Sequence, residues 1–159
     1  MKNTRVIAAF PACGKTYCFD RNEDYIILDS DSSKFSWIYP EDSIAKRRNP
    51  EFPKNYIDHI KENIGKVDYI FVSTHEEVRK ALADAGIEFT LVFPEWPLRA
   101  EWVGRCFIRG SGEKFCQLIT DKWEEWLWQM EDEVISNNRK YYRLKAGEYL
   151  SDVLSRGTI

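Results

Sequence analysis

The segment Thr4–Phe10 (TRVIAAF) is an apolar run that leads straight into Pro11-Ala12-Cys13-Gly14-Lys15-Thr16. This junction constrains the fold more than any other feature. The run is short enough for a strand buried on both faces. Pro11–Gly14 breaks it, and Lys15–Arg21 can open a helix. A buried strand, a tight loop and a helix in succession form the first half of a βαβ unit.

The alternation continues along the chain. Tyr25–Leu28 reads as a second strand, ending at Asp29-Ser30-Asp31. Ser32–Pro53 is polar, carries Pro40, Pro50 and Pro53, and reads as loop plus a short helix. Asn55–Ile64 has helical spacing. Val67–Val72 predicts a third strand, with Ser73 or Thr74 as cap of a helix that Gly86 stops. Phe89–Phe93 is a fourth strand. Glu113–Val134 carries Phe115, Leu118, Ile119, Trp123, Trp126, Leu127, Met130 and Val134 as one apolar stripe of a long helix. Tyr141–Leu144 is a fifth strand and Tyr149–Leu154 a terminal helix. The expectation is one domain over 1–159: a three-layer α/β fold with a mostly parallel sheet of about five strands and helices on both faces.

Residues 9–16 match the phosphate-loop (Walker A) pattern GxxxxGK[ST], with Ala9 in place of the first glycine. The strand–loop–helix context is what that pattern requires. Backbone N–H groups of Ala9, Pro11 to Thr16 and Tyr17, proline excepted, lie where a phosphate cradle would form. Lys15 would reach the β- and γ-phosphates, and the Thr16 hydroxyl would hold Mg²⁺. Gly14 lets the backbone approach. Ala9 is tolerated if its φ is negative. Cys13 is either a low-pKa thiol or a small loop residue; the second reading is simpler.

On these residues the chain resembles the P-loop nucleoside, nucleotide and polynucleotide kinases, whose GxPGxGK[ST] variant it carries with Ala9 and Ala12 at both outer glycines. It is also similar to small phage-encoded proteins of this type. The resemblance implies ATP and Mg²⁺ as cofactors and a nucleotide or nucleoside-like substrate, with nucleic acid as an alternative acceptor. It implies an acceptor-binding or base carboxylate at Asp29 or Asp31, and Asp29 as a further Mg²⁺ contact. Leu98–Gly110, with Arg99, Arg105 and Arg109, looks like the arginine-bearing lid of these kinases, spanning about 95–112. Lys145–Leu150 falls where such kinases hold the donor base.

Each residue has a plainer reading. Asp29 and Asp31 suit helix capping at a strand end, although sites in open α/β sheets lie at such ends. Arg105 and Arg109 share a helical face at i, i+4 and could be solvated charges. Lys46-Arg47-Arg48 reads as surface, or as a contact to an acceptor phosphate or DNA backbone. His75 follows the third strand and gives a weak candidate near the γ-phosphate. No strand ends in a Walker B aspartate; Asp68 stands at the start of its strand. Trp123, Trp126 and Trp128 read as packing, and Trp96 and Trp102 as candidates for stacking on a substrate ring.

Composition narrows the classes. The 159 residues are 43% hydrophobic and 31% charged, which disfavours disorder. The net charge of −3 argues against wrapping bulk nucleic acid. Four cysteines without a CxxC, and two histidines, make zinc improbable. No apolar run approaches a membrane span, so the expectation is a soluble cytoplasmic protein (in the host cytoplasm if phage-encoded) with no membrane partner. Three functions compete: a small-molecule kinase with Lys15, Asp29, Asp31, Arg105 and Arg109 as catalytic residues, a kinase of DNA ends or modified bases such as a hydroxymethyl pyrimidine, and a nucleotide-binding module without transfer.

Overall fold

The structure is a computed structural model and describes residues 1–38 and 46–159. In chain order the elements begin β1 (Arg5–Ala9), α1 (Lys15–Arg21), β2 (Ile27–Asp29), α2 (Ser33–Ser36), β3 (Trp37–Ile38) and β4 (Arg47–Arg48). They continue with α3 (Lys54–Asn63), β5 (Tyr69–Val72), α4 (Glu76–Asp84), β6 (Thr90–Pro94) and a 3₁₀ turn (Trp96–Leu98). The chain closes with α5 (Arg99–Ile108), α6 (Glu113–Asn137), β7 (Tyr141–Leu144) and α7 (Leu150–Ser155). The fold is α/β, with a five-stranded sheet in the order β2-β5-β1-β6-β7 and parallel pairing.

The chain divides into two compact units: Met1–Ala8 with Arg21–Phe89, and Ala9–Asp20 with Thr90–Ile159. In the first, β5 (YIFV) is buried at every position, as the continuous apolar run predicts. It pairs with β1, Arg5 opposite Tyr69 through Ala8 opposite Val72, and with β2, Ile27 opposite Tyr69 through Asp29 opposite Phe71. Helix α3 buries Tyr56, Ile57 and Ile60, and α4 buries Val78 and Leu82. Gly86, at φ +70°, ends the turn after α4, the backbone region that favours glycine.

Two local differences from the sequence reading have physical causes. The second strand starts at Ile27, two residues later than expected. The Asn22 side chain accepts from the Asp24 and Tyr25 amides, and Asp68 Oδ2 accepts the Ile26 amide at 2.7 Å. These side-chain bonds take donors that a ladder would otherwise use. The Ile26 amide and Lys2 hold the Asp68 carboxyl below its ordinary range. The second difference is a short antiparallel pair, Trp37 opposite Arg48 and Ile38 opposite Arg47, within the segment expected as loop and helix. Pro40, within that expected loop, lies outside the described residues.

In the second unit β6 and β7 pair from Leu91–Tyr141 to Pro94–Leu144. Helix α6 runs three residues past the expected end and stops at Asn138, φ +49°. It buries Ile119, Trp123, Leu127 and Met130. Phe10 packs edge-on against Trp123 at 5.7 Å and Trp126 at 6.1 Å. The packing reading of these two tryptophans holds, whereas Trp128 is exposed. Arg143 grips Glu131 through two bonds of 2.8 and 2.6 Å, and this fork holds the Glu131 carboxyl below its ordinary value against the opposing effect of burial. Among the described residues no helix is long and apolar enough to cross a membrane.

Candidate phosphate-binding site

The loop 9–16 lies within the second unit together with α5 and α7. Ala9 is the last residue of β1 and is fully buried in extended backbone, so a glycine is not required there. Ala12 is different: its φ is +63°, in the left-handed region. A Cβ there costs on the order of 1 kcal/mol. Gly14, at φ +92°, is required twice over, because a Cβ would also sit 3.0 Å from Tyr149 Cδ1.

Three successive loop carbonyls are each held by a donor from outside the loop. Trp102 Nε1 donates to the Pro11 carbonyl at 3.0 Å. Arg105 Nη1 donates to the Ala12 carbonyl at 3.3 Å. The Leu150 amide, at the start of α7, donates to the Cys13 carbonyl at 2.8 Å. A trans peptide places C=O and N–H on opposite sides. The amides of Ala12, Cys13 and Gly14 therefore face away from these three donors. The Cys13 amide turns to the Phe10 carbonyl at 3.3 Å. Among the described residues the Ala12 and Gly14 amides have no acceptor.

Lys15 begins α1, and its Nζ lies 3.3 Å from the Ala9 carbonyl, folded back over the loop. Thr16 and Tyr17 are exposed on the first turn of α1. The Tyr17 ring lies 6.3 Å from that of Tyr149. Cys13 is buried, and burial pushes its thiol up to about 12 against the pull of Lys15 and Arg105. It is a neutral packing residue, which removes the low-pKa reading.

The arginines expected on a lid occupy different environments. Arg105 is 8% exposed. Its guanidinium lies between the Trp102 ring at 3.7 Å and the Tyr149 ring at 3.9 Å. Besides the Ala12 carbonyl, it donates to the Glu148 carbonyl at 2.7 Å and to Glu101 Oε2 at 2.8 Å. The other Glu101 oxygen accepts the Gly147 amide at 3.0 Å. The sequence reading places Arg105 over a transferring phosphoryl group; in the structure its donors go to the Ala12 and Glu148 carbonyls and to Glu101. Arg109 follows α5, is exposed, and donates to Ser111 Oγ at 2.6 Å. Trp102, expected as a stacking platform, is fully buried under Arg105; Trp96 is exposed. Arg99, at the start of α5, lines a shallow cleft with Trp96 and Glu124.

The candidate acceptor carboxylates lie in the first unit. Asp29 ends β2 and is half-buried, while Asp31 is exposed and its Oδ1 accepts the Ser33 amide at 2.9 Å. Between them Ser30 is buried. Its hydroxyl meets His59 Nε2 at 3.1 Å, and its carbonyl accepts the Tyr56 hydroxyl at 2.8 Å. Burial, then the Asp31 and Asp29 charges, push the Tyr56 hydroxyl pKa upward. Ser73 pairs with Ser32 at 3.2 Å and the Thr74 carbonyl accepts Arg79 Nε at 2.9 Å, so neither caps α4 through its side chain; the cap position falls on His75.

Sequence reasoning missed Trp102 as a loop anchor, Leu150 and Tyr149 as loop contacts, and Glu101 as a bridge. Only the i, i+4 spacing of Glu101 and Arg105 carried a local signal. The comparisons with known proteins add no relative: no protein-family model matches the chain, and no curated protein matches it.

Proposed function

We propose that the chain is an ATP-dependent P-loop phosphotransferase. The observation that carries this reading is the loop 9–16, where three outward-held carbonyls leave the Ala12 and Gly14 amides without acceptors and Lys15 lies over the loop. Backbone amides turned to one side of a loop make an anion-binding concavity. In this reading Ala9, Pro11, Ala12, Cys13, Gly14, Lys15, Thr16 and Tyr17 form the donor-phosphate site. Lys15 contacts the β- and γ-phosphates and offsets charge as the γ-phosphoryl moves.

Thr16 fits a magnesium ligand, since its hydroxyl is on the exposed first turn of α1. Magnesium shared between few protein oxygens and substrate phosphates supplies charge neutralisation. Asp29 or Asp31 takes the acceptor hydroxyl, with Asp29 the candidate for a further magnesium contact. Of Arg105 and Arg109, Arg109 is the exposed one and takes the role of meeting transferred charge. A three-layer arrangement with helices on both faces, a lid over about 95–112 and a cytoplasmic location belong to the same reading.

The test is a label-transfer screen. The protein is incubated with Mg²⁺ and γ-labelled ATP against pooled nucleosides, nucleoside monophosphates, small hydroxyl metabolites and DNA. Label is expected in one pool and is lost with Lys15→Ala. Label remaining in ATP, while ATP still raises the melting temperature, favours the binding module without transfer.

A second reading, a nucleic-acid acceptor, is favoured by a cluster in the first unit. The Trp37 ring carries Lys46 Nζ at 4.3 Å and the Arg48 guanidinium at 5.3 Å, and Arg48 also lies 5.1 Å from the Phe52 ring. Aromatic rings among cations are how single strands are held without sequence preference. Retention on single-stranded DNA that falls steeply with salt supports this reading; no retention at low salt removes it.

A further inference from the structure

Arg105 and Trp102 reach the loop from α5, about ninety residues away in sequence. Both touch its backbone, at adjacent carbonyls. Trp102 also lies within hydrogen-bond reach of the Cys13 side chain. We infer that Trp102 and Arg105 are positioning residues: Trp102 sets the 11–12 peptide plane that carries the Ala12 amide, and Arg105 sets the 12–13 plane and so holds Ala12 at its left-handed φ, which lets the Ala12 amide, and beyond it the Gly14 amide of the plane Leu150 holds, be presented to a phosphate. The inference rests on the phosphate-binding reading of residues 9–16 and adds to it a positioning role for α5.

First, the loop lacks the glycines that would let it take its shape cheaply. Ala12 sits at φ +63° and is 7% exposed, so something outside the residue must hold it there. The Arg105 bond to the Ala12 carbonyl does that. Second, Arg105 is itself fixed. Two aromatic rings cover its faces, and Glu101 and the Glu148 carbonyl take one end of its fork. A guanidinium so enclosed keeps one geometry, which a flexible ammonium would not reproduce.

Third, the same fork joins the loop to the segment before α7. Glu101 holds the Gly147 amide and the Leu150 amide holds the Cys13 carbonyl. Glu148 is in turn fixed. Burial works against its charge, but the Lys145 amide, Arg156 and the Tyr142 hydroxyl hold its carboxyl below the ordinary value. The loop carbonyls thus rest on a network whose other members are already satisfied.

The test uses the full chain and its Trp102→Phe, Arg105→Lys and Arg105→Gln variants. Each is titrated with Mg·ATP and with tripolyphosphate, by calorimetry and by ¹⁵N-resolved amide shifts. In the wild type the Ala12 and Gly14 amides should move downfield with either ligand. Arg105→Gln and Trp102→Phe should weaken both ligands by the same factor, about tenfold or more, as loss of a charge-assisted or positioning hydrogen bond does. Their amide shifts at 12 and 14 should shrink. Arg105→Lys should fail to rescue, because it keeps the charge but not the fork.

Unchanged affinity and unchanged amide shifts in folded variants would overturn the inference and leave the phosphate site standing. Rescue by lysine would overturn the geometric part and make charge the cause. A wild type that binds neither ligand would overturn the phosphate reading itself, and the inference with it. Should Arg105→Gln fail to fold, Trp102→Phe and Arg105→Lys decide the matter.

Discussion

The loop 9–16 and the segment 29–52 each follow a strand, and they are held in opposite ways. The loop is built on its backbone: consecutive carbonyls are anchored, Cys13 is buried and neutral, and Gly14 faces Tyr149. Among the described residues of the segment 29–52 stand three exposed cations, Lys46, Arg47 and Arg48, of which Lys46 and Arg48 lie on the Trp37 ring and Arg48 pairs with Glu77 at the surface. An invariant group such as a phosphate is met best by fixed donors that need no reorganisation. An acceptor is met by side chains, which carry selectivity. In the proposed function the loop takes the donor phosphates, and the contrast makes the segment after β2 the place to test for acceptor selection.

The contrast can be broken at several points. The largest effect should come from Gly14→Ala. The new Cβ meets Tyr149 at 3.0 Å with φ at +92°, and the strain alone is about 1–2 kcal/mol. Thermal denaturation should show that loss, and calorimetry should show ATP affinity falling with it. An unchanged melting temperature would mean the loop can relax around the methyl group.

Next comes Glu131→Gln, which removes the carboxylate held by Arg143. The folded pKa of Glu131 lies below its unfolded value. Its contribution is therefore present above the unfolded value of about 4.3 and lost as pH falls through the folded one. The variant should be less stable at pH 7, and the two melting curves should converge as pH falls below the unfolded carboxyl range. A difference that persists unchanged into acid would contradict the ion-pair account.

Smaller still is Arg48→Ala. Its exposed pair with Glu77 is worth under about 1 kcal/mol, so stability should barely move. ATP affinity should not move at all, while single-stranded DNA retention, if present in the wild type, should drop. A fall in ATP affinity would erase the division of labour between the two regions. The smallest effect belongs to Ala12→Gly, where relief of the left-handed strain is nearly offset by a freer unfolded chain. Stability should rise by less than about 1 kcal/mol, measured by denaturant unfolding.

Most elements were legible in the sequence because apolar periodicity is local. β1, β5 and β6 fall where continuous apolar runs predict them, β7 falls at the expected Tyr141–Leu144, and α6 follows its stripe. The misreadings arose where side chains compete with the backbone. Asn22 and Asp68 delay β2, and the Trp37–Arg48 pair depends on a cross-strand register with no local signature. At the site, Lys15, Thr16 and Gly14 were legible as a motif. The anchoring by Trp102, Arg105 and Leu150 was not, because it joins residues about ninety or more apart. Arg105 shows the limit most clearly: its spacing to Arg109 suggested a shared exposed face, and only packing reveals that Trp102 and Tyr149 enclose it.

The most direct measurement is a calorimetric titration of Mg·ATP into the wild type and Lys15→Ala. The account predicts one site per chain in the wild type, weakened by about two orders of magnitude when the Lys15 charge is removed from the phosphates. No heat of binding in a folded wild type, or equal affinity in the two proteins, would contradict it.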